Sequence, residues 1–261
     1  MKALITGASS GIGMEIARQL SDKGIETVLV ARRKDRLLEL ASTLKTKSEI
    51  IVADLSKPEE AKKIFSSAPD IDILVNNAGF GVFGKFDETE LDSELNLISV
   101  NITALHILTK LYLPIFKKKN SGYILNVASL ASFFPGPIFA SYYASKAYVM
   151  RLSGAIYQEL KKAGSNVKIS CLCPGPVSTE FGGVAGVSLG GKSGFGGIGM
   201  NVNKVAKIAI AGMFKGKRII VPGVLMKCCR FLSKILPERI SAKAVMLIQG
   251  SKMITKKSDA N

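Results

Sequence analysis

Short, continuous apolar runs recur along this chain, and longer stretches of helical period separate them. Ala3-Leu4-Ile5, Thr27–Ala31, Ile50–Ala53, Ile73-Leu74-Val75, Tyr123–Val127, Val167–Cys171 and Arg218–Val221 read as seven buried strands. Between them, Gly11–Leu20 carries Ile12, Ile16, Ala17 and Leu20 on one face, and helical patterns also cover Lys34–Leu44, Ile102–Lys118 and Ser141–Lys162. Ser56-Lys57-Pro58-Glu59 predicts a helix start, with Ser56 as the cap and Pro58 in the first turn. Strands that are apolar throughout and alternate with helices imply an α/β fold, a parallel sheet covered on both faces. With no repeat or linker, the pattern predicts one domain over residues 1–261. Only 181–200, with nine glycines, reads as a loose segment.

Composition narrows the picture. The 261 residues are 47% hydrophobic, enough for a full core. No run of 18 apolar residues occurs, so no membrane-spanning helix is expected, and the N-terminus does not read as a signal peptide. Cys171, Cys173, Cys228 and Cys229 form no C-x-x-C pair and read as reduced thiols of a cytoplasmic protein. With a single histidine, no metal site is expected. The net charge is +16, and from Asn201 onward thirteen Lys and Arg face only Glu238 and Asp259, a local net of +11. Such a surface suits nucleic acid, an anionic membrane or an acidic partner. The expectation is a solvated basic face with no nucleic-acid partner.

The first turn poses a chemical choice. Gly7-Ala8-Ser9-Ser10-Gly11 fits the elbow of a serine hydrolase. Thr6–Gly13, with Gly7, Gly11 and Gly13, also fits a turn that lays a pyrophosphate on a helix N-terminus. A hydrolase needs a histidine base, and the sole candidate, His106, lies in an apolar helix pattern as a packed or interface residue. The turn is therefore read as a cofactor turn, with Ser9, Ser10 and Ile12 inside it. The second strand ends Ala31-Arg32-Arg33, where NAD binders usually place an acid. Guanidinium groups at Arg32 and Arg33 pair with a 2′-phosphate, and Ser9 can add a hydroxyl bond, so NADP(H) is the expected cofactor.

Thr6–Gly13 (TGASSGIG), Asn76–Gly79 (NNAG) and Tyr142-Tyr143-Ala144-Ser145-Lys146 follow one another in an order that resembles the short-chain dehydrogenase/reductase superfamily, over about two thirds of the chain. The resemblance implies a single Rossmann domain with a seven-stranded sheet and a catalytic set of Asn101, Ser129, Tyr142 and Lys146. Only Tyr142 has a lysine four residues on, and residues at that spacing share a helix face. A lysine charge there is expected to lower the phenol pKa, so that Tyr142 passes a proton to or from a substrate oxygen. The resemblance further implies that Ser129 holds the carbonyl, that Asn101 supports a water relay and that Lys146 bonds the nicotinamide ribose. It also implies adenine-side contacts at Asp54 and Leu55, backbone contacts at Asn77, Ala78 and Gly79, and nicotinamide contacts along Pro174, Gly175, Val177 and Thr179. Family members commonly pair through the two long helices, which predicts a homodimer or homotetramer.

The expected substrate is a small apolar ketone or its secondary alcohol, a hydroxysteroid or similar hydrophobic carbonyl. Phe80–Phe83 and Phe133–Phe139 supply apolar walls, and 181–200 is expected to form a lid. A 3-oxoacyl reductase that meets its carrier protein through the basic surface is the alternative, and a non-catalytic cofactor sensor or scaffold is a second. The basic, helical extension over 224–261 includes Val224–Leu236, which can lie on an anionic membrane. The expectation is that it packs on the domain as an ordinary amphipathic helix.

Overall fold

The structure is a computed structural model that describes residues 1–184 and 199–258. Seven strands, β1 (Lys2–Thr6), β2 (Glu26–Ala31), β3 (Ser48–Val52), β4 (Ile73–Asn76), β5 (Tyr123–Val127), β6 (Lys168–Leu172) and β7 (Ile219–Ile220), form one sheet in the order β3-β2-β1-β4-β5-β6-β7. Every pairing is parallel. Successive side chains of a strand point to opposite faces, so β1 sends Ala3 and Ile5 to one core layer and Leu4 to the other. One layer packs under α1 (Gly11–Ser21), α2 (Lys34–Thr43) and α8 (Val202–Phe214). The other packs under α3 (Pro58–Ser67), α5 (Leu105–Lys119) and α6 (Ala140–Lys162). The remaining helices are α4 (Leu91–Ile98), α7 (Phe181–Val184), α9 (Val224–Leu232) and α10 (Glu238–Ser258).

Two expectations need correction. Ser56 is not a cap: α3 starts at Pro58 behind Lys57, which makes no side-chain cap bond. The Ser56 amide donates to Asp54 Oδ1 at 3.1 Å, so Asp54 closes the turn. The long helix does not begin at Ile102. α4, a π-helical turn at Ser99–Ala104 and α5 run on as one helical stretch, Leu91–Lys119, which is long and apolar enough by composition to cross a membrane. Its Leu97, Leu108, Tyr112 and Phe116 are buried in the domain core. Of the predicted lid, 185–198 lie outside the described residues.

A polar chain crosses the core beneath the strand ends. Asn76 Nδ2 donates to Asn126 Oδ1 on the neighbouring strand (2.9 Å) and to Thr109 Oγ1 (3.0 Å), and Asn126 Nδ2 donates to Ser153 Oγ (3.0 Å). All four residues are buried. Cutting such a chain strands desolvated groups, at about 1–3 kcal/mol for each one left unpaired. Asn126→Ala should therefore lower the unfolding free energy by that order, read as a lower urea midpoint with no change in m-value. Lys62→Ala, which breaks only the exposed pair with Glu59, should shift stability by under about 1 kcal/mol.

Candidate active site

The sheet order reverses between β1 and β4, where an open parallel sheet receives its ligand. The first turn is built for close approach. Gly7 and Gly11 have φ of +66° and +56°, conformations that side-chain-bearing residues adopt at a cost. A Cβ on Gly13 would stand 2.4 Å from Asn77 Nδ2 and 2.5 Å from the Gly7 carbonyl oxygen. Asn77 does not point outward as a ligand group. Its Nδ2 donates to the carbonyls of Thr6 (3.0 Å) and Gly7 (3.2 Å), while Thr6 Oγ1 accepts from the amides of Asn77 and Ala78. The end of β4 thus clamps the glycine turn. Helix α1 opens behind Ser10 with no acidic residue in its first turn and no side-chain cap bond. Such an N-terminus accommodates a phosphate, and the cradle fits a dinucleotide.

At the ends of β2, the arginines part company. Arg33 donates through Nε and Nη2 to Ser9 Oγ at 3.3 and 3.2 Å, and through Nη1 to Glu180 at 2.9 Å; Arg36 bonds the other oxygen of the same carboxylate. Those bonds from Arg36 and Arg33 hold the Glu180 carboxyl below its ordinary range. Arg32 instead lies near Asp54, where its charge helps Ser56 and Lys57 keep that carboxyl low against the opposing effect of burial. Arg36 and Glu180 escaped the sequence reading because neither belongs to a strand-end motif. With Ser9 bonded to Arg33, and exposed His106 bonded at Nδ1 to Tyr148 (2.8 Å), no hydrolase base serves Ser9.

Beyond β4, Ser129 follows β5 and accepts from the Ala131 amide at 3.1 Å. Tyr142 and Lys146, one turn apart on α6, are both buried. Burial pushes the Tyr142 phenol up to about 12, against the opposing effect of the nearby Ser129 hydroxyl. The expected lowering by Lys146 is not found. The lysine Nζ lies 5.8 Å from the tyrosine ring and donates to the Val127 carbonyl at 3.0 Å. Burial pushes this ammonium down to about 8, and the nearby thiols of Cys171 and Cys173 oppose that shift. Asn101 sits in the π-helical turn, where Nδ2 donates to the Phe80 carbonyl (2.9 Å) and Ser145 Oγ (3.0 Å) and Oδ1 accepts from the Phe80 amide (3.0 Å). A Cβ on Gly79 would meet Asn101 Oδ1 at 2.9 Å and Lys146 Nζ at 3.1 Å, which places both side chains against one glycine.

Aromatic rings wall the tyrosine. Phe139 stacks on Tyr142 at 4.5 Å between centroids, and Phe181 lies at 5.3 Å. Phe80, Val82 and Phe83 pack on the same cluster. Tyr143 turns away and accepts from Gln249 Nε2 at 3.1 Å. Across the cleft, the Pro174 carbonyl accepts from the Leu130 amide at 2.8 Å, and Val177 pairs with Met200. Thr179 stands over Gly11, 3.2 Å from where its Cβ would be. Gly175 is packed by Met226, and Leu55 is buried.

A doubly wound sheet with a dinucleotide turn at its switch point and a buried tyrosine beside it defines a nicotinamide-dependent oxidoreductase. The chain belongs to the short chain dehydrogenase family, whose model matches residues 1–186. An uncharacterised oxidoreductase of Staphylococcus epidermidis is 37% identical over 184 residues, 69% of this chain and 79% of that protein. Among solved structures, a short-chain dehydrogenase from Sphingobium yanoikuyae in complex with NADPH aligns at TM-score 0.78 and 29% identity, over 91% of this chain and 96% of that one. The bulky-bulky ketone specific alcohol dehydrogenase of Comamonas testosteroni aligns at TM-score 0.74 and 26% identity, over 91% and 95%. A neighbour from Burkholderia phymatum was solved with NAD, and its 23% identity speaks to the fold alone.

Gly13→Ala tests the cradle. The added methyl must displace Asn77 or the Gly7 carbonyl, so nicotinamide dinucleotide affinity, read by fluorescence titration, should fall at least about tenfold while far-UV circular dichroism is unchanged.

Proposed function

We propose that this enzyme is an NADP(H)-dependent carbonyl reductase that interconverts an apolar ketone and its secondary alcohol. The observation that carries the reading is Tyr142, near Ser129, set in an aromatic wall with the buried Lys146 ammonium 5.8 Å from its ring centroid. Gly7, Gly11, Gly13, Arg33, Gly79 and Lys146 would hold the cofactor, and hydride donation to the carbonyl carbon is what the bound nicotinamide supplies. Ser129 orients the carbonyl oxygen. Tyr142 gives that oxygen a proton through its phenol. Lys146, charged at neutral pH, supports the phenol as it loses the proton, and Asn101 lines the route by which the proton is replaced. Phe80, Phe139 and Phe181 exclude water and favour an apolar substrate. The likeness to a bulky-ketone dehydrogenase is consistent with that class. A homo-oligomer is part of the proposal, supported by exposed Leu95, Ile98 and Tyr148 along α4 to α6.

The cofactor preference rests on the anion between Arg33 and Arg36. Glu180 occupies with its carboxylate the kind of position that a 2′-phosphate takes, between two guanidiniums and beside a serine hydroxyl. Charge-assisted bonds contribute about 1.5–3 kcal/mol each, or roughly tenfold to hundredfold in affinity. Arg33→Ser should lower kcat/KM for NADPH by that factor and leave NADH little changed. Glu180→Gln, which removes the competing carboxylate, should tighten NADPH. Equal efficiency with both cofactors in the native protein would overturn the preference.

Tyr142→Phe should abolish turnover of a ketone panel, followed as NADPH absorbance, while NADPH binding persists. Tyr143→Phe should keep most of the activity, since its hydroxyl serves Gln249.

The phenol also sets a pH dependence. With its pKa at about 12, the proton donor stays loaded from pH 6 to 8, and kcat/KM for ketone reduction should be nearly flat to about pH 7 and decline above it as Lys146, at about 8, loses its charge. Alcohol oxidation needs the deprotonated form, which grows about tenfold per pH unit below the pKa. Oxidation should therefore rise steeply over the same range when both profiles are measured.

A further inference from the structure

The two C-terminal helices are turned the wrong way for water. Among the described positions of α10 the buried ones are polar, Ser241 and Gln249, while Ile240 and Leu247 are 52% and 76% exposed. Helix α9 buries Met226 and lays the Arg230 guanidinium over the Phe133 ring, 5.6 Å from its centroid. Its Val224 and Phe231 stand 76% and 63% exposed. The sequence predicted the reverse, an amphipathic helix with its apolar face packed on the domain. That expectation fails because the inward positions are filled by Met226 and Arg230.

The exposed residues share one pattern. Val224, Cys228 and Phe231 recur at i, i+4 and i+7, with Lys227 between them. Sixteen residues on, Ile240, Ala244 and Leu247 repeat the spacing, with Lys243 in the same place. All eight positions are exposed. Positions at this spacing form one stripe of a helix, so each helix shows solvent an apolar stripe edged by a lysine. Leu232, the last residue of α9, and Ile235, in the segment joining the helices, are exposed as well. Exposed apolar stripes on two successive helices mark a contact surface rather than scattered single exposure.

Charge decides what it contacts. From Val224 to the end of the sequence, eight Lys and Arg face only Glu238 and Asp259. Lys227, Lys234, Arg239 and Lys243 are exposed around the stripes. A second copy docked through the same patch would bring these cations against their own images, because a two-fold contact is self-complementary. An anionic lipid surface satisfies both features at once, with apolar side chains below the headgroups and lysines among them.

We propose that α9 and α10 form a docking surface for an anionic lipid bilayer, with the stripes Val224/Phe231 and Ile240/Leu247 inserted. Both helices also touch the active-site rim, Met226 against Gly175 and Gln249 on Tyr143. Docking sets that rim at the lipid surface. The inference stands whether or not the substrate is a ketone.

Vesicle co-sedimentation of the full chain tests it, with phosphatidylcholine alone and with phosphatidylcholine containing about one third phosphatidylglycerol. Binding should require the anionic lipid and weaken in high salt. F231E/L247E should lose at least tenfold in partitioning, and K227A/K234A/K243A should lose its preference for the anionic vesicles. None of these residues lies in the catalytic or cofactor group, so unchanged circular dichroism and NADPH affinity report an intact fold. Equal binding to both compositions, or no binding to either, overturns the proposal. So does light scattering in which F231E/L247E splits a native oligomer without altering vesicle binding, since the stripes would then be a contact between copies.

Discussion

A lysine ammonium buried in the middle of the domain constrains everything around it. An ion out of water is tolerated only where fixed dipoles and neighbours replace hydration. Lys146 is 4% exposed, and its Nζ reaches the Val127 carbonyl at the end of β5. Ser132 Oγ holds its backbone carbonyl at 2.8 Å, which ties α6 to the loop after β5. Gly79 must be a glycine for the ammonium and Asn101 to come as close as they do. The sheet, the helix and the loop after β4 are all drawn to one point. Phenol and ammonium are shifted by the same burial in opposite directions, the acid up and the base down. The site thus holds its proton on the tyrosine and keeps the lysine near the edge of losing its own.

Much of this arrangement was legible in the sequence because its carriers are local. An apolar run four or five residues long marks a buried parallel strand, and all seven strands lie within a residue or two of their predicted places. Tyr142 and Lys146 could be paired, and Tyr143 set aside, from the spacing of one helix turn. What stayed hidden depends on distant partners. Glu180 meets Arg33 and Arg36 across about 145 residues of chain. Asn101 lies in a π-helical turn, where one extra residue per turn leaves no compositional trace, so the helix seemed to begin after it rather than at Leu91. Ser56 looked like a cap, but Asp54 had already taken its amide. The orientation of α9 and α10 was illegible for a related reason. A hydrophobic stripe tells which residues share a face, not which way that face turns.

The two arginines after β2 show how little separates neighbouring residues in sequence and how much in space. Arg32 and Arg33 alternate in direction as the strand ends. One guanidinium is left beside Asp54, and the other crosses to the glycine turn and Glu180. Thr179, next to that glutamate, sits over Gly11, and Phe181 on its other side packs on Tyr142. Three consecutive residues therefore join the phosphate end of the cleft to its aromatic end.

The sheet order has a consequence for how the chain is made. After β3, β4 adds to the open edge of β1, and each later strand adds to its predecessor: β5 on β4, β6 on β5 and β7 on β6. No later strand has to be threaded between two that are already paired. A ribosome that releases the chain from its N-terminus can let the sheet grow outward in the order of synthesis. The clamp of Asn77 on Thr6 and Gly7 closes once β4 emerges. The glycine turn can then be clamped while Ser129, Tyr142 and Lys146 have yet to be translated.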